Sequence, residues 1–167
     1  MKKTFIALQM SILIFLLSAC AVMVVNSSNS KLIENSSYLV VPFKNYTQTP
    51  NAGYRIASIL NGILRSKNYK IFNYPQLLEN NGVNNKNIIK TLNRAKNKGI
   101  RYVISGDVNE FRYKTGIEGE PAVSITIFVY NSDSKKIIWS STGSATGWSN
   151  QSITTVAQNL LNRLLHF

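Results

Sequence analysis

Few side chains in this 167-residue sequence have the chemistry of a catalyst or a ligand, and they are poorly placed for either role. There is one cysteine, Cys20, and one histidine, His166. A single thiol closes no intramolecular disulfide and builds no multi-thiolate metal site. A reactive thiol wants a basic neighbour, and His166 stands one residue from the C-terminus. That position also argues against a Ser-His-acid triad or a histidine-based metal site. The carboxylates are Glu34, Glu79, Asp107, Glu110, Glu118, Glu120 and Asp133. Glu118 and Glu120 stand close together in "TGIEGEP", a Gly/Pro hairpin loop where a catalytic dyad lacks the burial that moves a pKa. They read as loop acids. Asp107 and Glu110, on one expected strand, fall on opposite faces and do not converge. Ser132 to Lys135 spells S-x-x-K, but across a turn rather than at a helix start. The glycines form no phosphate loop. The chain reads as a non-enzyme without cofactor or metal.

The surroundings of Cys20 explain it better. Lys2 and Lys3 form a short positive region, and Phe5 to Leu17 is apolar except for Gln9 and Ser11. Small residues follow at Ser18 and Ala19, the layout of a secretory signal over residues 1–19. The apolar run is shorter than the ~20 residues a spanning helix needs. Leu17-Ser18-Ala19-Cys20 resembles the lipobox of bacterial lipoproteins. That resemblance implies acylation of the Cys20 thiol, cleavage before Cys20 and acylation of the new amino terminus. Each buried methylene then contributes about 0.8 kcal/mol to membrane anchoring, and several chains together hold firmly. Ala21 lacks the aspartate that favours inner-membrane retention in such lipoproteins, so the resemblance implies the outer membrane, with the domain facing the periplasm.

The formal charge is +12, and loss of Lys2 and Lys3 lowers it by two. A cytosolic protein so basic would suggest nucleic acid. For a secreted lipoprotein, anionic lipid, cell-wall polymer, exported polysaccharide or an acidic protein are better partners. Lys86, Lys90, Arg94, Lys96 and Lys98 lie along one expected helix and read mainly as its solvated face.

Residues 20–37 read as an acylated tether, Asn/Ser-rich, although Val22 to Val25 and Leu32-Ile33 are apolar enough to dock. Residues 38–167 fit one domain. "YLVVPF" from Tyr38 predicts a buried strand. Thr49-Pro50 predicts an N-cap with proline at the first helical position. Ile56, Ile59, Leu60, Ile63 and Leu64 predict an amphipathic helix. "YKIFNY" is a second strand stopped by Pro75, with a helical turn at Gln76 to Glu79 and then a helix from about Asn85 to Asn97 closed by Gly99. Three strands follow, over Ile100–Lys114, Ala122–Asn131 and Lys135–Trp148; Gly106 suggests a bulge or a close approach, and "SDS" a tight hairpin turn. A last helix carries Ile153, Val156, Ala157, Leu160, Leu161 and Leu164 on one face, with Ser149 or Asn150 as its cap. The order is β-α-β-α-β-β-β-α, an α/β (α+β) domain with helices packed on a mixed sheet. Trp139 is expected in the core. Trp148 is expected at the periphery, as a contact capping the last helix, an anchor at the lipid headgroup level, or a subunit contact.

A lipobox, "VVPFKNYT", "NAGYRIASILNGIL", "YKIF", "ISGDVNEF", "IIWSSTGSATG" and a terminal amphipathic helix occur in the order found in one superfamily. By that order the chain resembles the envelope lipoproteins CsgG, PelC and LpoB, and PelC most in architecture. The long hairpins with which the curli channel builds its barrel are missing. The resemblance implies a non-enzymatic domain that oligomerises as a ring or collar in an export or secretion apparatus at the outer membrane, alongside its other components. The alternative it implies is a regulator that reaches and activates a periplasmic cell-wall enzyme. A tether of about 17 residues, at most ~60 Å long, is short for that. For a ring, the candidate contacts are Glu118 and Glu120 on one copy and Lys90 and Arg94 on the next. Nucleic acid is not an expected partner.

Overall fold

The structure is a computed structural model that describes residues 23–27, 32–72, 85–114 and 119–165. Among the described residues seven strands form one sheet: β1 (Met23–Ser27), β2 (Ser37–Val40), β3 (Lys44–Asn45), β4 (Lys70–Phe72), β5 (Tyr102–Tyr113), β6 (Pro121–Asn131) and β7 (Ile137–Thr146). Three helices pack on it among the described residues: α1 (Ala52–Ser66), α2 (Asn85–Asn97) and α3 (Ile153–Leu164). The strands run β1-β7-β6-β5-β2-β4, with the short β3 also pairing β5. β2 lies parallel to β4 and β5, whereas β6 and β7 are antiparallel to their neighbours. The sheet is mixed, as the sequence predicts, with β1 and β3 in addition to the expected strands.

β2 lies between β4 and β5, and Tyr38, Leu39 and Val40, with Val41 just beyond the strand, are buried on both faces, which is why that run is continuously apolar. On one face, which we term inner, Ile104, Val108, Phe111, Val123, Ile125 and Val129 pack with α1 and α3 in the main core. Among the described residues the outer face is covered only in part. There Leu39, Val41 and Val103 meet Ile88, Leu92 and Ala95 of α2 in a smaller core.

Local chemistry corrects three sequence expectations, both helix caps and the faces of Asp107 and Glu110, and selects the close approach among the two readings of Gly106. α1 starts at Ala52 behind Asn51, which holds φ 57 without a side-chain cap, because the Thr49 hydroxyl is committed to the Phe111 carbonyl on β5. α3 is capped by Ser152, whose Oγ accepts the Thr155 N–H at 3.1 Å, and not by Ser149 or Asn150. The bulge lies between Val108 and Glu110, not at Gly106. Gly106 is a close approach instead: a Cβ there would stand 2.1 Å from the Thr126 carbonyl and 2.4 Å from the Phe43 ring. That bulge brings Glu110 opposite Ser124 while Asp107 stands opposite Thr126, so the two acids share the outer face. An extra residue in one strand inverts the alternation beyond it.

Part of the expected tether is sheet. Met23 to Ser27 pairs antiparallel with Ala145 to Ser141 of β7. Val25 packs against the main core and Leu32 is buried in it. The turn at Gln76 to Glu79 lies outside the described residues.

Candidate functional site

The sheet has two ends. At one, β7 runs out through Gly147 to Trp148, beside the end of β5 and the start of β6. Gly147 donates its N–H to the Pro121 carbonyl at 2.8 Å. A Cβ on Gly147 would stand 2.4 Å from Val156, so only glycine lets the chain pass this close under α3. The Trp148 N–H then bonds the Gln151 side chain at 3.0 Å. The backbone is fixed from both sides while the indole stays 50% exposed. Trp139, by contrast, is buried in the main core. Tyr113 at the same end is also exposed, and its hydroxyl accepts the Ile153 N–H at 3.2 Å.

Cys20 lies outside the described residues, but β1 bears on where it can go. Met23 pairs with Ala145, three residues before Trp148. Met23 is three positions on from Cys20, a reach of about 10 Å at most.

The charged candidates are spread over the surface. Lys90 and Arg94 are exposed one turn apart on α2, which packs over the start of β5. Glu120 stands by the far end of β5, paired with Lys114 of its own loop at 3.5 Å. Glu118 lies outside the described residues. Within one chain, Glu120 is not brought to Lys90 or Arg94.

One cluster escaped the sequence reading. Lys44 on β3 stands opposite Asp107 on β5, and its ammonium lies 4.3 Å from the centre of the Tyr46 ring. The Tyr46 hydroxyl beside it holds the Lys44 pKa above its usual value. Burial pushes the Asp107 carboxyl up, with Lys44 opposing. Burial also raises the Tyr130 phenol, and Asp107 adds to the effect. The signal for this pair was the β3–β5 register, which short strand β3 does not announce by periodicity. Among the described residues, no three His, Cys, Asp or Glu side chains group as metal ligands, and no helix is long and apolar enough to cross a membrane.

No protein-family model matches the sequence, and no curated protein matches it either. Solved structures do. PelC from Paraburkholderia phytofirmans, solved as a dodecamer, is 33% identical over 86% of this chain and 95% of that one, with a TM-score of 0.74. The chain belongs to the PelC family. A point variant of the same PelC, again a dodecamer, superposes with a TM-score of 0.71 at 32% identity over 85% of this chain and 96% of that one. The lipoprotein GNA1162 from Neisseria meningitidis shares the fold at 19% identity, with a TM-score of 0.59 over 79% of this chain and 99% of its own. The PelC match covers 86% of this chain, so it bears on most of the domain.

Proposed function

We propose that this PelC-family chain is the acylated, non-enzymatic subunit of an envelope export apparatus, working as a homo-oligomeric ring or collar at the periplasmic face of the outer membrane. One observation carries the reading: 33% identity, over 86% of the chain, to a protein that forms a dodecamer. Polysaccharide is the favoured cargo, as the resemblance to the Pel polysaccharide export lipoproteins implies. Cys20, through its acyl chains, is the anchor. With β1 docked on β7, the free leash shortens from 17 residues to about three, which favours a subunit held at the membrane over a regulator reaching far from it. That leash brings the Trp148 end of the domain to the bilayer, where an exposed indole is stabilised at the headgroup level. Fixing every copy in one leaflet also raises its effective concentration, so weak contacts suffice for assembly. Lys90 and Arg94 on one copy and Glu120 on the next contribute at the rim of the contact, where single ion pairs are worth little.

Amine cross-linking of the full-length lipoprotein in intact cells tests the proposal. A ladder of homo-oligomers is expected. A single hetero-product with an enzyme-sized partner would favour the regulator instead.

A further inference from the structure

Charge is distributed unevenly along the chain. No residue from Pro121 to Asn131 is charged, and none from Ile137 to Asn162. These stretches are β6, β7 and nearly all of α3, where Arg163 in the last turn is the lone charge. Met23 to Ser27 of β1 is uncharged as well. One half of the sandwich is therefore neutral in a chain carrying 19 basic and 7 acidic residues.

That half presents two surfaces that look in opposite directions. On the inner side α3 packs on β6 and β7, and its outward residues Thr154, Thr155, Gln158 and Asn159 are exposed. On the outer side, among the described residues, α2 is the only helix, and it covers the β2–β5 half. Toward the Trp148 end the β6–β7 half there shows hydroxyls: Thr142 and Ser144 are exposed, Ser124 and Thr126 half-buried, and the Thr126 and Thr142 hydroxyls lie 3.0 Å apart. Toward the other end the same face carries half-buried Phe128 and exposed Ile138. A sheet with helices on both faces is the ordinary way to bury such a layer, and among the described residues this half has its helix on one face only.

We infer that the missing layer is supplied by a second copy: the exposed side of α3 of one subunit packs on the outer face of β6 and β7 of the next. This rests on the ring reading and names its contact. A closed ring needs two different, complementary surfaces on each subunit, and here they lie on opposite sides of the same neutral half. Interface centres are depleted of charge, because desolvating an unpaired lysine or carboxylate is expensive. Gln158 and Asn159 carry amide donors and acceptors suited to a hydroxyl face. The dimensions fit: twelve residues make a helix about 18 Å long, and the ten residues of β7 span about 33 Å. The exposed Lys90 and Arg94 of α2 would flank the seated helix.

The test is a cysteine pair in the full acylated chain, Thr142→Cys with Asn159→Cys, oxidised in isolated membranes. The double variant is expected to run as a disulfide ladder beyond the dimer, and either single variant as monomer. Asn159→Glu should abolish the wild-type amine-cross-linked ladder while circular dichroism stays unchanged; Ser58→Glu, on the exposed face of α1, should leave the ladder intact. If wild-type protein gives a ladder with an amine cross-linker, yet the cysteine pair gives none and Asn159→Glu has no effect, the ring stands and this interface is wrong. If wild-type protein gives no ladder at all, the ring reading falls and takes the interface with it.

Discussion

Gly106 sits where β5, β6 and Phe43 press on one point, and no atom there can yield cheaply. A methyl group at 2.1 Å from a backbone carbonyl must push two strands apart. Gly106→Ala is therefore expected to cost about 3 kcal/mol or more, read as a lower urea midpoint. Trp139→Ala should cost about 3–5 kcal/mol by the same measurement, since the ring is buried in the main core. Asp107 has the opposite character. Its folded-state pKa is raised, chiefly by burial, so the folded protein binds the proton more tightly than the unfolded chain. Stability is thus withheld above that folded pKa and regained as the pH falls through it. Asp107→Asn should raise the melting temperature at pH 7 relative to wild type, with the gain shrinking toward pH 3; a gain that grows in acid would contradict the assignment. The division between Trp139 and Trp148 was legible from sequence, because Trp139 ends an apolar run and Trp148 stands between Gly147 and Ser149. The Lys44–Asp107 pairing was not legible, since two residues of strand give no periodicity. The shared face of Asp107 and Glu110 was hidden for a different reason: one bulge inverts an alternation that every sequence-pattern argument assumes.

At the scale of elements, periodicity located the three described helices, while the caps of α1 and α3 were decided by tertiary contacts. Thr49 looks like a cap until β5 supplies its hydroxyl with another acceptor. Ser152, three residues before Thr155 and directly ahead of the apolar face, carries the same local signal as Ser149 and wins because α3 begins where Tyr113 holds the Ile153 N–H. β1 is the element with most bearing on function. It reads as tether by composition, and only the β7 edge turns it into strand. Replacing Met23 to Ser27 with a Gly/Ser sequence should leave the rest of the domain folded. It should also speed hydrogen exchange at the β7 amides between Ser141 and Ala145 by at least tenfold and lengthen the leash. A Trp148-only variant, with Trp139→Phe, should shift its emission to the blue on lipid vesicles when β1 is intact; unchanged emission on both vesicles and assembly would remove any contact role for Trp148.

The whole molecule combines a neutral half with a basic remainder, and the proposed acyl anchor at Cys20 would lie close to the Trp148 end through β1. None of these needs catalysis. Cys20→Ser should yield a folded domain that, once its signal is removed, no longer fractionates with membranes, because the proposed acyl chains on Cys20 are its anchor. The family resemblance was legible in the order of short motifs, each weak alone, and 33% identity to PelC over most of the chain gives it substance. The neutral half was present in the sequence too, but its two faces become visible only once α3 and the β6–β7 hairpin are seen to sandwich one core. The central claim is that this chain works as a closed ring. Native mass spectrometry of the acylated protein, released from membranes in mild detergent, addresses it directly. The account predicts one discrete oligomer, a fixed multiple of the mature acylated chain. A strictly monomeric species at micromolar concentration, with no larger assembly in the same preparation, would contradict it.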